Sequence, residues 1–183
     1  DKDDNLINFY HVLQNEKEKK ALFRMLENET VSRSKYQKIL SMEASNKIEK
    51  AYKYFYLNRT SFSGIMNNPR WGYLIGSSVT PEKWIDRIIP VAEKLTNAKI
   101  TCLDFREVLA NVKSDSLVYL DPPYFKASKG IYSKEFTMDD HYDLMEILQS
   151  SNFNFVLSYN NHPELYKLYD WCNISNEEWV YFM

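Results

Sequence analysis

The stretch Leu117-Val118-Tyr119-Leu120-Asp121-Pro122-Pro123-Tyr124 decides how this chain is read. Four apolar residues in a row suit a short strand of a parallel sheet covered on both faces. The acid and two prolines that follow end that strand, because proline cannot extend a ladder and Asp favours turns. Asp-Pro-Pro has that plain role as a strand terminator wherever it occurs. In open α/β sheets, however, ligands bind just beyond the carboxyl ends of the strands, and a polar loop running to Gly130 follows this one. The groups placed there suit a particular chemistry. A conjugated exocyclic amine is a poor nucleophile until acceptors at its hydrogens draw the nitrogen toward tetrahedral geometry. The Asp121 carboxylate offers one acceptor, and the Pro122 carbonyl offers another on a backbone whose φ is fixed by the ring. Tyr124 offers a face on which a flat heterocycle can stack. Asp121, Pro122 and Tyr124 are therefore the candidate catalytic residues for methylation of such an amine by an activated sulfonium, a reaction that asks for positioning more than for a strong base.

Around this stretch the pattern alternates. Helices are predicted over Leu6–Gln14 and Pro81–Leu95, the second with Thr80 as N-cap and Pro81 in the first turn. Strands are predicted at Lys99–Leu103, Leu117–Leu120, Asn154–Ser158 and Trp179–Phe182, with helices between them at Arg106–Val112, Asp139–Gln149 and Pro163–Tyr169. This is the βαβ rhythm of a doubly wound α/β sheet.

The net charge of −2 conceals an asymmetry. From Lys17 to Arg70 there are twelve Lys or Arg against five Asp or Glu, a balance of +7, so the remainder carries −9. The basic block reads as helical over Lys17–Leu26 and Lys35–Tyr56. A solvated helical face is its plainest reading. Beside an acidic remainder, it also fits an electrostatic grip on phosphates that positions a polyanion without specifying its sequence. Arg59–Ser78 is the least regular stretch and reads as a loop or hairpin, with Arg59 and Arg70 as candidate phosphate contacts. Lys126, Lys129 and Lys134 stand just past Tyr124, where they could close over a bound polyanion, with Tyr132 beside them.

Taken together, these motifs resemble the Dam-like adenine-N6 DNA methyltransferases, over nearly the whole chain. Asp1-Lys2-Asp3-Asp4-Asn5-Leu6-Ile7-Asn8-Phe9-Tyr10 is similar to the family's Asp-x-Asn-x-x-Leu-Ile-x-x-Tyr segment. Leu57-Asn58-Arg59-Thr60-Ser61-Phe62-Ser63-Gly64 resembles its DNA-facing Asn-Arg…Phe-Asn-Gly stretch, with Ser63 where Asn is common. Ile100-Thr101-Cys102-Leu103-Asp104-Phe105 resembles its strand and acidic turn at the cofactor adenine. Phe155-Val156-Leu157-Ser158-Tyr159-Asn160 and the Glu178–Phe182 end complete the likeness.

The resemblance implies S-adenosylmethionine as cofactor, with Asp1 on its ribose, Asp104 and Phe105 at its adenine, and Asp121 beside it. It implies double-stranded DNA as substrate, with Arg59, Ser61, Arg70, Lys126 and Lys129 as contacts. It also implies a Rossmann-like methyltransferase sheet, mostly parallel with one late antiparallel strand. On this reading residues 1–16 and 79–183 form the catalytic domain, and 17–78 form a basic helical insertion for target recognition. The target adenine would be flipped out of the duplex at a cost of a few kcal/mol, of which stacking on Tyr124 returns about 1–3 kcal/mol. Restriction-modification or phage and host DNA modification is the implied setting, with a cognate endonuclease as a possible partner. The family places a Phe-x-Gly-x-Gly loop before the ribose acid, whereas this chain starts at Asp1 and has only four glycines. It is therefore expected to be a fragment of a longer protein, with residues also absent near Cys172–Ser175.

Composition is compatible with this reading. At 183 residues, 44% hydrophobic and 26% charged, the chain can bury a sizeable core. No apolar run approaches membrane-spanning length. Cys102 and Cys172 suit reduced thiols in a cytoplasmic protein, and His11, His141 and His162 lack metal-ligand spacing. Two other readings stay open. One is amino-group methylation of RNA or of a protein glutamine, and the other is an inactive relative that only binds DNA.

Overall fold

The computed structural model describes residues 1–126 and 136–178, which form two compact units, 1–104 and 105–178. The first unit is helical. α1 (Asp4–Gln14) starts where the Asp3 side chain accepts from the Asn5 and Leu6 N–H groups at 2.9 and 3.3 Å. α2 (Glu16–Leu26) follows after the single residue Asn15, which caps it in the same way. α3 (Arg33–Ser41) is capped by Ser32, and α4 (Lys47–Thr60) by Asn46.

The helix expected over Lys35–Tyr56 is thus two helices. Met42 and Asn46 are extended, the Met42 carbonyl is held by the Lys53 ammonium at 2.7 Å, and the turn lets Tyr36 and Ile39 of α3 bury against α4. A straight helix would have left that apolar face uncovered. Pro81–Lys83 forms a single 3₁₀ turn that leads into α5 (Trp84–Leu95). Thr80 is extended, as an N-cap should be, but the turn is closed by its carbonyl, which accepts from Lys83 N–H at 3.0 Å, and not by a side-chain cap.

The core of this unit joins Phe9, Val12 and Leu13 of α1 to Leu22, Leu26, Tyr56, Trp84 and Ile88. Trp84 is fully buried, meets Phe55 and Tyr56 edge-on at 5.5 and 5.8 Å, and donates from its indole N–H to the Val79 carbonyl at 3.0 Å. Because α1, α5 and the basic helices share this core, the boundary between compact units falls after Asp104.

The second unit is a small α/β layer. α6 (Phe105–Leu109) precedes β1 (Leu117–Leu120), and α7 (Met138–Gln149) leads to β2 (Asn154–Leu157) and α8 (Pro163–Leu168). α7 opens with a capping box, in which the Thr137 hydroxyl accepts from Asp140 N–H and the Asp140 carboxylate accepts from Thr137 N–H. The two strands pair in parallel, Leu117 opposite Asn154 through Leu120 opposite Leu157. Val118, Leu120, Phe155 and Leu157 pack on a core that includes Leu109, Leu144, Leu148 and Leu165.

Leu117, Tyr119 and Val156 on the opposite face are 71%, 67% and 52% exposed, so among the described residues one face of the sheet is covered. Among the described residues this parallel pair is the only sheet. Residues 99–103 do not form the expected strand, since among the described residues no neighbouring strand takes their hydrogen bonds, and Cys102 and Leu103 are exposed. The expected strand Trp179–Phe182, and with it the late antiparallel strand, lies outside the described residues. The architecture shown is mixed α/β with a small parallel sheet. No described helix is long and apolar enough to cross a membrane, and the described residues hold no cluster of three metal-ligating side chains.

Candidate active site

The parallel register of β1 and β2 builds the site. Leu120 pairs with Leu157, so the residues that follow them, Asp121 and Ser158, emerge side by side at the carboxyl ends of the strands. Ser158 N–H donates to the Leu120 carbonyl at 3.0 Å, and the Ser158 hydroxyl donates to Asp121 Oδ1 at 2.7 Å. The Tyr119 hydroxyl lies 3.2 Å from Ser158 Oγ. With the serine proton directed to the carboxylate, the tyrosine is the donor in that contact.

Asp121 is exposed, Pro122 and Pro123 are half-buried, and Tyr124 is 36% exposed, so the acid and the ring keep accessible surface in the same short loop. Phe125 turns the other way. It is 2% exposed, packs between His141 and His162 at 5.0 and 4.9 Å, and its carbonyl accepts from Asn160 Nδ2 at 3.1 Å. Lys126 has a left-handed φ of 53° and forms an exposed 2.6 Å ion pair with Glu164. That pair holds the Glu164 carboxyl below its usual range, chiefly through the hydrogen bond from Lys126.

Beneath the loop His141 is 2% exposed, and its Nδ1 lies 2.6 Å from the Tyr159 hydroxyl. Burial lowers the histidine pKa, against the opposing pull of Asp140, and burial likewise raises that of Tyr159. At the amino end of the unit, Phe105 packs on Phe136 at 5.5 Å and carries the Arg106 guanidinium over its ring at 4.4 Å. Arg106 also spans Asp143 and Asp140 of α7, at 2.7 Å to Asp143 and 2.6 Å to Asp140. Burial acts to raise the Asp140 pKa, but the bonds from Thr137 and Arg106 outweigh it and leave that carboxyl below its usual value.

The remaining expected site residues that the structure describes belong to the first unit. Asp1 Oδ1 accepts from Asp3 N–H at 2.7 Å, and Lys2 is ion-paired with Asp104, which brings the two ends of the unit together. Both acids therefore lie in one neighbourhood.

Arg59 lies in the last turn of α4 and donates to Asn58 Oδ1 at 2.8 Å. It stands in a groove of about 470 Å³ lined also by Tyr10, Tyr54, Trp84 and Arg87. Partial burial and the neighbouring Arg87 charge lower its pKa. Beyond it the chain makes a small hairpin in which Phe62 N–H donates to the Arg70 carbonyl and Gly72 N–H to the Thr60 carbonyl, at 2.8 and 2.9 Å. Gly72 is required there, because a Cβ would stand 2.3 Å from Phe62 Cα. Arg70 and Phe62 are exposed on the hairpin. Ser61, expected as a DNA contact, is 6% exposed, pairs with Trp71 across the hairpin and has its hydroxyl 3.3 Å from that of Tyr36. Lys129, like Tyr132 and Lys134, lies outside the described residues.

Ser158 and Asn160, just past a strand parallel to β1, contact Asp121 and Phe125, and Tyr159 between them contacts His141; their position past that strand was the signal in the sequence.

The chain is similar throughout to one family. A model described as D12 class N6 adenine-specific DNA methyltransferase matches residues 1–183. Among curated relatives, the retron Ec67 DNA adenine methylase of Escherichia coli is 32% identical over 124 residues, 63% of this chain and 42% of the relative. A DNA adenine methylase of Vibrio cholerae is 27% identical over 80% of this chain and 57% of its own length. The type II methyltransferase M.MjaIII of Methanocaldococcus jannaschii is 28% identical over 70% and 49%. The chain thus spans about half the length of the curated relatives it matches.

Proposed function

This chain belongs to the D12 class N6 adenine-specific DNA methyltransferases, and we propose that it methylates the exocyclic N6 amino group of adenine in double-stranded DNA. The observation that carries this reading is the Asp121 carboxylate, fixed by Ser158 at the end of β1 with the Tyr124 ring three residues away and partly exposed. Asp121 and the Pro122 carbonyl accept from the two amino hydrogens, which localises the lone pair on the nitrogen that is to be alkylated. Tyr124 stacks on the base after it leaves the duplex, offsetting by about 1–3 kcal/mol the cost of unstacking. The proton released from the amino group after alkylation passes toward Asp121 or water.

S-adenosylmethionine is the cofactor that fits the residues present, and when bound it supplies an electrophilic methyl group. Asp1 would accept from its ribose hydroxyls and Asp104 from its adenine amino group, with Phe105 against the ring. In the basic region 17–78, which serves as the target-recognition part, Arg59 and Arg70 approach phosphates or base edges, and Lys126 and Lys129 approach the DNA beside the catalytic loop. An Arg set against guanine would discriminate by about 1–3 kcal/mol. One relative is a type II methyltransferase by name, and a place in restriction-modification beside a cognate endonuclease accords with that.

The test is nucleoside mass spectrometry on duplex DNA treated with the full-length protein and S-adenosylmethionine. N6-methyladenine is the expected product. Its absence across varied duplexes, with the folded state verified, would favour an RNA or protein amine, or a binding-only role.

A further inference from the structure

We propose that Ser158, Tyr159 and Asn160 are positioning residues that hold the Asp121–Phe125 loop in its working geometry, an inference that rests on the methyl-transfer reading above. The need for such a clamp follows from the loop itself. Pro122 and Pro123 fix their own φ angles but contribute no N–H groups, so two consecutive residues cannot anchor the backbone by donation. The loop is instead held at its two ends by three consecutive side chains of the neighbouring strand's extension.

At one end the Ser158 hydroxyl binds Asp121 Oδ1 at 2.7 Å, which selects one carboxylate rotamer and leaves Oδ2 to face the amine. At the other end Asn160 Nδ2 holds the Phe125 carbonyl at 3.1 Å, immediately after Tyr124. Between them Tyr159 points to the opposite side and meets the buried His141 of α7 at 2.6 Å. The three contacts are made by consecutive residues just past β2, and Phe125 and His141, the partners of Asn160 and Tyr159, are themselves in ring contact at 5.0 Å. Asn160 Oδ1 is buried and has no hydrogen-bond partner among the described residues. The side chain therefore keeps its place for the bond its amide nitrogen makes to the loop. Tyr119 completes the arrangement, its hydroxyl lying 3.2 Å from Ser158 Oγ.

The experiment measures steady-state methyl transfer to duplex DNA by the full-length protein, with Ser158→Ala, Ser158→Thr and Asn160→Asp beside the wild type. Misplacement of reacting groups by about 1 Å can cost about 100-fold, and a fall in kcat approaching that size is expected for Ser158→Ala with KM for DNA unchanged. Ser158→Thr, which keeps a hydroxyl, is expected to recover most of the loss. Asn160→Asp, isosteric but unable to donate, is expected to lower kcat in the same way. Wild-type kcat in Ser158→Ala would overturn the proposal, as would a loss confined to KM, or a loss that tracks a fall in melting temperature and that Ser158→Thr does not recover. Absence of N6-methyladenine from the wild-type reaction would instead overturn the activity reading, and the clamp with it.

Discussion

Glu29 in the helical unit and Asp121 in the β1–β2 unit are both held by hydrogen bonds, yet they are built for different ends. Glu29 is 7% exposed and surrounded by donors: the Tyr52 hydroxyl at 2.6 Å, Thr30 N–H at 2.6 Å and the Lys35 ammonium. Asp121 is exposed and takes a bond from Ser158 on one oxygen. A buried acid must have its acceptor sites filled, because each unfilled one carries a desolvation penalty. An exposed acid held at one oxygen keeps the other for a ligand. The contrast extends to the cores, since the helical unit closes around Trp84 while the small sheet leaves Leu117, Tyr119 and Val156 in solvent.

The largest stability effect should come from the helical core. Trp84→Ala removes a fully buried ring that contacts Phe55 and Tyr56, and a loss of about 3–5 kcal/mol is expected in denaturant unfolding. Glu29→Ala should cost less, about 1–3 kcal/mol. Lys35 retains solvent once the acid is gone, so the main penalty is the Tyr52 hydroxyl left without its acceptor. If Asp121→Ala destabilised the protein as much as Glu29→Ala, the distinction between the two acids would fail.

Protonation distinguishes the units again. Burial lowers the folded-state pKa of His141 below its ordinary 6.5, so between those two values the unfolded chain holds the extra proton. The stability that neutral His141 confers is therefore complete above about pH 6.5 and is lost as pH falls below it. His162 lies across Phe125, and Asp140 opposes the shift. In melting temperature against pH, His141→Gln should flatten the slope below 6.5, and an unchanged slope would place its origin elsewhere. The smallest effect is expected from Arg106→Ala. Its guanidinium is about a third exposed, so loss of both carboxylate partners is expected to cost about 1 kcal/mol or less.

Much of the helical framework could be read from the sequence, because its signals are local. Asp3, Asn15 and Thr137 fix the starts of α1, α2 and α7 through their own side chains. The break between α3 and α4 was missed because no Gly or Pro marks it. It arises from the packing of Tyr36 and Ile39 on α4, the next helix in the chain. The Lys99–Leu103 strand was expected from the alternation of helices and strands, yet a strand exists only where a neighbour accepts its hydrogen bonds. At the site, Asp121 and Tyr124 could be picked out because their residue types carry the chemistry. Ser158 and Asn160 were less visible, since their roles depend on the parallel register that sets Leu120 against Leu157.

The most direct test of the central claim compares wild type with Asp121→Ala in single-turnover methyl transfer to duplex DNA, with DNA affinity measured on the same preparations. Loss of a group that stabilises developing charge costs about 100–1,000-fold or more, so transfer should fall at least that far while DNA affinity and melting temperature stay near wild type. An Asp121→Ala protein that transfers methyl groups at the wild-type rate would contradict the account.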